Sequence, residues 1–151
     1  VMDNQYLVFI LDNQGYALHL STVDSVTRMV NIIPLPGAPS VVLGVVNMRG
    51  RVIPVVNVRQ LFKLPKREAL LTDQLIFAHT ERRPVALMAD AVTGVIEGLE
   101  HRLISTDIIL PGIKYLNGVI KLEDGLVFIH NLGEFLSLDE EKALNLALGT
   151  T

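Results

Sequence analysis

The sequence predicts an all-β protein made of two small β-barrels in tandem, with short helices that include one at the C-terminus. Three observations carry this expectation. Short runs of apolar and β-branched residues alternate with turn residues along the chain. The second half repeats the first at an offset of about seventy residues. Each copy holds about four or five short strands, and a unit of that size hides its edges best by curling into a closed barrel.

Tyr6–Leu11 and Tyr16–Leu20 read as the first two strands, with Asp12-Asn13-Gln14-Gly15 as turn chemistry between them. Met29 to Met48 carries no charge over about twenty residues, the length of a bilayer span. Pro34, Pro36 and Pro39 exclude a continuous helix there. The stretch therefore reads as a loop followed by a buried strand. Val41–Met48 and Val52–Val58 are rich in Val and Ile and are joined at Arg49-Gly50, where glycine takes the positive φ of a tight hairpin. Pro54 lacks a ladder donor, which places its strand at an edge or beside a bulge. Val58, Leu61 and Phe62 have helical spacing, so a short helix is expected after Asn57. Lys63–Asp73, with Pro65 and several charges, links the halves.

The second half follows the same plan. Gly44 to Val58 aligns without gaps on Gly118 to Leu132, with Gly44/Gly118, Val45/Val119 and Asn57/Asn131 identical. The turns match in kind, Arg49-Gly50 in one and Asp124-Gly125 in the other. Upstream, Val8-Phe9 resembles Ile76-Phe77, Tyr16-Ala17-Leu18 resembles Val85-Ala86-Leu87, and Val23/Val26 match Val92/Val95. Subdomain one is expected at about 16–72 plus the N-terminal strand, and subdomain two at about 73–136. The tail differs. Ser137 with Glu140 has the capping-box form, so a helix is expected over about 138–148, ended by Gly149. Leu144, Ala147 and Leu148 are placed to pack back on a barrel.

Composition narrows the function. The chain has no Cys, which excludes a disulfide framework, a thiolate nucleophile and Cys-ligated metal. Half of the residues are apolar and 19% are charged, so disorder is not the main state. No phosphate-cradling glycine loop or nucleophile elbow occurs. His19, His79, His101 and His130 show no metal-ligand spacing, and scattered acids such as Asp90 and Asp107 form no motif. No catalytic residue, metal site or cofactor is expected. No signal peptide is visible, the start at Val1 rather than Met points to a trimmed end, and the expected location is cytoplasmic. The net charge of −3 conceals a first half (1–72) at +3 and a second (73–151) at −6. Such a charge-polar body suits asymmetric or head-to-tail docking. Arg49 and Arg51 flank a hairpin tip, where a guanidinium fork can anchor a partner.

The run from Gly44 to Arg59 resembles the signature of the chemotaxis coupling protein family, CheW, which reads roughly G-V-I-N-L-R-G-x-I-I-P-V-I-D-L-R. Gln5-Tyr6-Leu7-Val8-Phe9 looks like the family's opening strand, and Tyr115-Leu116-Asn117-Gly118-Val119 like its second-half Y-x-x-G-V. The resemblance covers about Gln5 to Leu136, so the whole chain reads as a single CheW-like domain. It implies two tandem SH3-like barrels packed together and an adaptor without enzymatic activity. Such an adaptor couples the cytoplasmic tips of methyl-accepting chemoreceptors to the regulatory domain of a CheA-type histidine kinase. It implies residence in the cytoplasm with recruitment to receptor arrays, and neither nucleic-acid binding nor membrane insertion.

Carried over position by position, the receptor-binding residues are Arg49 and Gly50 with Asn47 beside them, and Val23, Ser25 and Val26 on the groove-lining strand. Many members have Glu where this chain has Ser25, and Asp where it has Asn57 and Asn131. Asn keeps the hydrogen-bonding capacity of Asp but not its charge. No motif marks the kinase-facing surface. The same signature also occurs in kinase regulatory domains and CheW–receiver hybrids, and the departures also suit a divergent adaptor outside chemotaxis. The basic stretch Arg49–Arg67 leaves a nucleic-acid-binding barrel pair as another reading.

Overall fold

The computed structural model describes residues 5–98, 102–104, 116–123 and 125–149. His101, Asp107, Tyr115 and Asp124, named above, lie outside these. Eleven strands and two helices are described: β1 Gln5–Leu11, β2 Gln14–His19, β3 Val23–Arg28, β4 Val42–Met48, β5 Arg51–Val56, α1 Val58–Leu61, β6 Gln74–His79, β7 Pro84–Ala89, β8 Ala91–Glu97, β9 Arg102–Ile104, β10 Leu116–Leu122, β11 Gly125–His130 and α2 Leu138–Ala147. They form a six-stranded sheet of order β8-β1-β2-β11-β10-β9 and a five-stranded sheet of order β3-β6-β7-β5-β4. Each curls in the manner of an SH3-like barrel, as expected.

The repeat is present, but the sheets do not follow the halves. β1–β2 from the first copy joins the sheet of β8, β10 and β11, while β6–β7 from the second joins β3, β4 and β5. The exchange is symmetric. β1 pairs β8 as β6 pairs β3, both antiparallel, and β2 pairs β11 as β7 pairs β5, both parallel. A division at 16–72 and 73–136 therefore describes the repeat and not the barrels. The physical reason lies in burial. The exchanged hairpins are sandwiched, so both of their faces need apolar residues. Tyr6, Val8 and Ala17 fill one barrel, and Leu75, Phe77, Ala86 and Met88 fill the other. The alternate residues Leu7, Phe9, Leu18, Ile76 and Leu87 meet in a third core between the barrels. Strands buried on both faces read as continuous apolar runs rather than alternating ones.

Local chemistry accounts for the turns and ends. Asp12 and Asn13 both take positive φ, 49° and 66°, in a two-residue hairpin loop. Chain leaving β3 closes the five-stranded barrel. Met29 and Ile32 pack into its core, and Ile33 exchanges two 2.8 Å hydrogen bonds with Val45 of β4. Gly44 allows this approach, since a Cβ there would lie 2.4 Å from the Ile33 carbonyl oxygen.

β5 corrects one expectation. It lies inside the sheet, between β4 and β7, and the register shift falls at Val42/Gly44 rather than at Pro54. Pro54 is tolerated for another reason. Its partner Val45 turns both backbone groups to Ile33, so Pro54 points away from β4. On that other side, pairing with β7 begins only at Val55.

The helices form as the sequence predicts. Asn57 caps α1 by accepting from the Gln60 N–H at 3.3 Å. Ser137 and Glu140 form a reciprocal capping box at 3.1 and 2.8 Å. Leu144 is fully buried in the inter-barrel core, Leu148 packs against it, and Gly149 follows at φ 78°.

Candidate docking site

β4 and β5 meet in a two-residue loop of Arg49 (φ 53°) and Gly50 (φ 81°), the left-handed pair of a type I′ turn. Glycine adopts this conformation freely, whereas arginine there costs about 1–2 kcal/mol. The Asn47 side-chain carbonyl accepts the Gly50 N–H at 3.0 Å and fixes the loop. The Arg49 side chain is exposed and has no hydrogen bond or ion pair among the described residues. The tip thus presents an unpaired guanidinium on a rigid two-strand stalk, next to the exposed Arg51.

Among the described residues β3 is an edge strand paired only with β6. Its register shifts between Val23 and Ser25, so Asp24 is bulged outward. In a regular strand Val23 and Val26 would face opposite ways. The bulge instead sets Val23 opposite Ala78 and Val26 opposite Ile76, both on the inter-barrel face. Val23 and Val26 are half-buried there, while Ser25 is exposed. Asp24 pairs with His79 Nδ1 at 2.9 Å. β8 repeats this design. The shift at Val8/Phe9 bulges Thr93 and sets Val92 and Val95 on the inter-barrel face opposite Phe9 and Leu7. Val95 is half-exposed. Val92 and Val95 were visible as repeat partners of Val23 and Val26, and that symmetry was the signal that could have marked Val95 as a candidate surface residue.

The two predicted sets lie on different strands of one barrel: Val23, Ser25 and Val26 on β3, and Asn47, Arg49 and Gly50 on the β4–β5 hairpin, and β3 pairs with neither β4 nor β5 among the described residues. No hydrogen bond or ion pair joins them among the described residues.

Sequence reasoning missed an ionic cluster that crosses the barrels. Arg59, 5% exposed, donates to Asp12 at 2.7 Å, to Asp90 at 2.9 Å and to the Pro65 carbonyl at 3.1 Å. Arg67 donates to Asp73 at 2.8 Å and also to Asp90. Asp12 belongs to the β1–β2 turn, Asp90 to the β7–β8 junction, and Asp73 precedes β6. The cluster therefore pins both exchanged hairpins to α1 and the segment that follows it. Burial raises the Asp90 carboxyl, but the Asp12 N–H and the two guanidiniums outweigh it and hold it below its usual value. Hydrogen bonding to Asp73 is the main reason that the Arg67 pKa is raised. For Arg59, burial works against the charge, yet bonds to Asp12 and Asp90 raise it overall. His130 is buried, and its ring stacks on Phe62 at 4.2 Å. No group of three or more metal-capable side chains occurs among the described residues, and none of their helices is long and apolar enough to cross a membrane.

Two small barrels fused by exchanged hairpins, with an open edge strand and an unpaired arginine at a rigid tip, define a protein-docking module. The family is shown by comparison with known proteins: a model of the CheW-like domain matches residues 5–140, and the chain belongs to that family. The chemotaxis protein CheW of Thermotoga maritima is 28% identical over 132 residues, covering 87% of each chain. The CheW of Helicobacter pylori is 27% identical over 142 residues, covering 89% of this chain and 82% of the relative. The crystal structure of the scaffolding protein TtCheW from Thermoanaerobacter tengcongensis superposes with a TM-score of 0.78 at 24% identity, covering 92% of this chain and 96% of that one. An adaptor role in chemotaxis signalling follows from family membership.

Proposed function

We propose that this adaptor carries no enzymatic activity, acts in the cytoplasm at receptor arrays, and couples the tips of methyl-accepting chemoreceptors to the regulatory domain of a CheA-type histidine kinase. The single observation that carries the reading is the Gly44–Arg59 hairpin, which holds the family's Asn-x-Arg-Gly tip with Arg49 exposed and unpaired. A receptor helix bundle supplies carboxylates for such a fork and apolar side chains for the strip around Val23 and Val26. We assign receptor contact to Asn47, Arg49, Gly50, Val23, Ser25 and Val26, and add Val95 on the matching strand. Because the barrels share exchanged hairpins and a core layer between them, the adaptor transmits a signal as a whole body. Receptor packing shifts the population of active kinase through that body.

The test is a pull-down on receptor tips with Arg49→Ala and Arg49→Asp. Neither should lower Tm, because the side chain is exposed and makes no hydrogen bond or ion pair among the described residues, and both should lose affinity, Arg49→Asp the more. Unchanged affinity in a folded variant sinks the assignment.

A further inference from the structure

The Arg49-Gly50 loop is held by a bond that strand pairing does not require. β4 and β5 close from Met48 to Arg51, and the matching strands β10 and β11 close in the same way from Leu122 to Gly125. In the first hairpin the Asn47 side-chain oxygen accepts the Gly50 N–H at 3.0 Å. In the second the equivalent position is Lys121, whose ammonium can only donate. Both hairpins form, so the acceptor at position 47 serves something other than the pairing of the strands.

The first residue of a type I′ loop takes left-handed backbone, which asparagine, aspartate or glycine adopts at least cost. Arg49 stands there instead, at φ 53°. Its Cβ is crowded in that conformation, which favours departure from it. The peptide joining Arg49 to Gly50 carries the N–H that Asn47 accepts, so the bond fixes the ψ of Arg49 together with the φ of Gly50, 81°. The direction in which the Arg49 side chain leaves the tip is set with them. Asn47 does this without charge. An aspartate would accept the same N–H but would set a carboxylate near Arg49 and Arg51, in competition with a partner's carboxylate.

We propose that Asn47 is a positioning residue for receptor engagement. Its side-chain oxygen orders the Arg49–Gly50 peptide, and through it the Arg49 guanidinium, before a receptor carboxylate arrives. Ordering the loop in advance removes that cost from binding. This role rests on the receptor reading of Arg49 and gives Asn47 its part in it.

The test is a double-mutant cycle on Asn47 and Arg49, read by titrating the full chain with the purified cytoplasmic tip of a methyl-accepting chemoreceptor, together with hydrogen exchange at Gly50. Asn47→Ala should weaken binding about fivefold, and in Arg49→Ala the same change should alter affinity by less than about twofold, because the two residues act as one unit. In the free chain Asn47→Ala should speed exchange at the Gly50 amide, while Val46 and Ile53, which pair across the hairpin, stay protected. Asn47→Asp keeps an acceptor and should leave Gly50 protected. The positioning role is overturned if Asn47→Ala binds as the wild type does, or if it costs as much with the Arg49 side chain removed, which would make Asn47 a contact in its own right. It is equally overturned if Gly50 exchanges alike in wild type and Asn47→Ala, or loses protection in Asn47→Asp. Wild-type binding by Arg49→Ala overturns the receptor reading itself, and the positioning role with it.

Discussion

Replacing Arg59 by Met tests whether the ionic cluster holds the exchanged hairpins in place. The arginine is 5% exposed and bonds Asp12, Asp90 and the Pro65 carbonyl. Removing one partner of a fully buried pair costs about 3–5 kcal/mol. Two features lower that figure here. Asp12 and Asp90 remain 38% and 27% exposed and regain water, and Arg67 still holds Asp90. Methionine also fills the stem's volume and removes the unpaired Nε–H. The expected loss is about 2–3 kcal/mol, which for a chain of this size lowers Tm by roughly 5–10 °C. Urea denaturation should show a lower midpoint with an unchanged slope. In a double-mutant cycle with Asp90→Asn, the coupling should reach about 1 kcal/mol, because the two share one network. A loss below about 0.5 kcal/mol, or additive behaviour, would refute the clamp.

Three other perturbations probe separate features. Gly44→Ala drives a Cβ against the Ile33 carbonyl, so it should cost more than about 1 kcal/mol and speed hydrogen exchange at Ile33 and Val45, whose amides pair across that contact. Asp90 titrates below its ordinary value of 3.8 in the folded chain, so the unfolded chain binds more protons as pH falls. Its contribution is complete above about pH 4 and is lost as pH drops through the lower folded value. Tm measured from pH 5 to pH 2 should therefore fall more steeply in wild type than in Asp90→Asn. Asn57→Asp should change stability by less than about 0.5 kcal/mol, since both residues cap well, while Asn57→Ala should cost about 1 kcal/mol. Equal losses from the two Asn57 substitutions, measured by urea denaturation, would remove the capping role.

How much of this was legible depends on the range of the interaction. Caps and turns are local, so Ser137, Asn57 and the Arg49-Gly50 loop could be read from a few adjacent residues. The departures at Asn57 and Asn131 also resolve locally. Each side-chain oxygen accepts a backbone N–H, from Gln60 at 3.3 Å and from Gly133 at 3.0 Å, and that needs no charge. The ionic cluster was illegible for the opposite reason. Arg59 meets Asp12 and Asp90 at separations of 47 and 31 residues, and nothing in the spacing of isolated charges marks such a meeting. Pro54 shows a subtler limit. The rule that proline avoids interior strands concerns a missing donor, and here the fold supplies no acceptor opposite it.

The exchange of hairpins follows from the same distinction. A repeat of about seventy residues fixes which strands are equivalent but not which copy of an equivalent strand is used. Pairing β6 with β3 or with β8 satisfies the same backbone pattern, because β3 and β8 carry the same bulge and the same pair of valines. What breaks the tie is the core. With the hairpins exchanged, Leu7, Phe9 and Leu18 face Ile76 and Leu87 across a shared layer, and neither barrel can close without strands from the other half. The burial of β1 and β6 on both faces was present in the sequence as Tyr6–Leu11 and Leu75–Ala78, runs too uniformly apolar for the wall of a single half-exposed barrel. That uniformity is the one sequence feature that distinguishes a fused pair from two barrels on a string. It also makes the adaptor a single body, whose edge strand and arginine tip keep a fixed relation to one another.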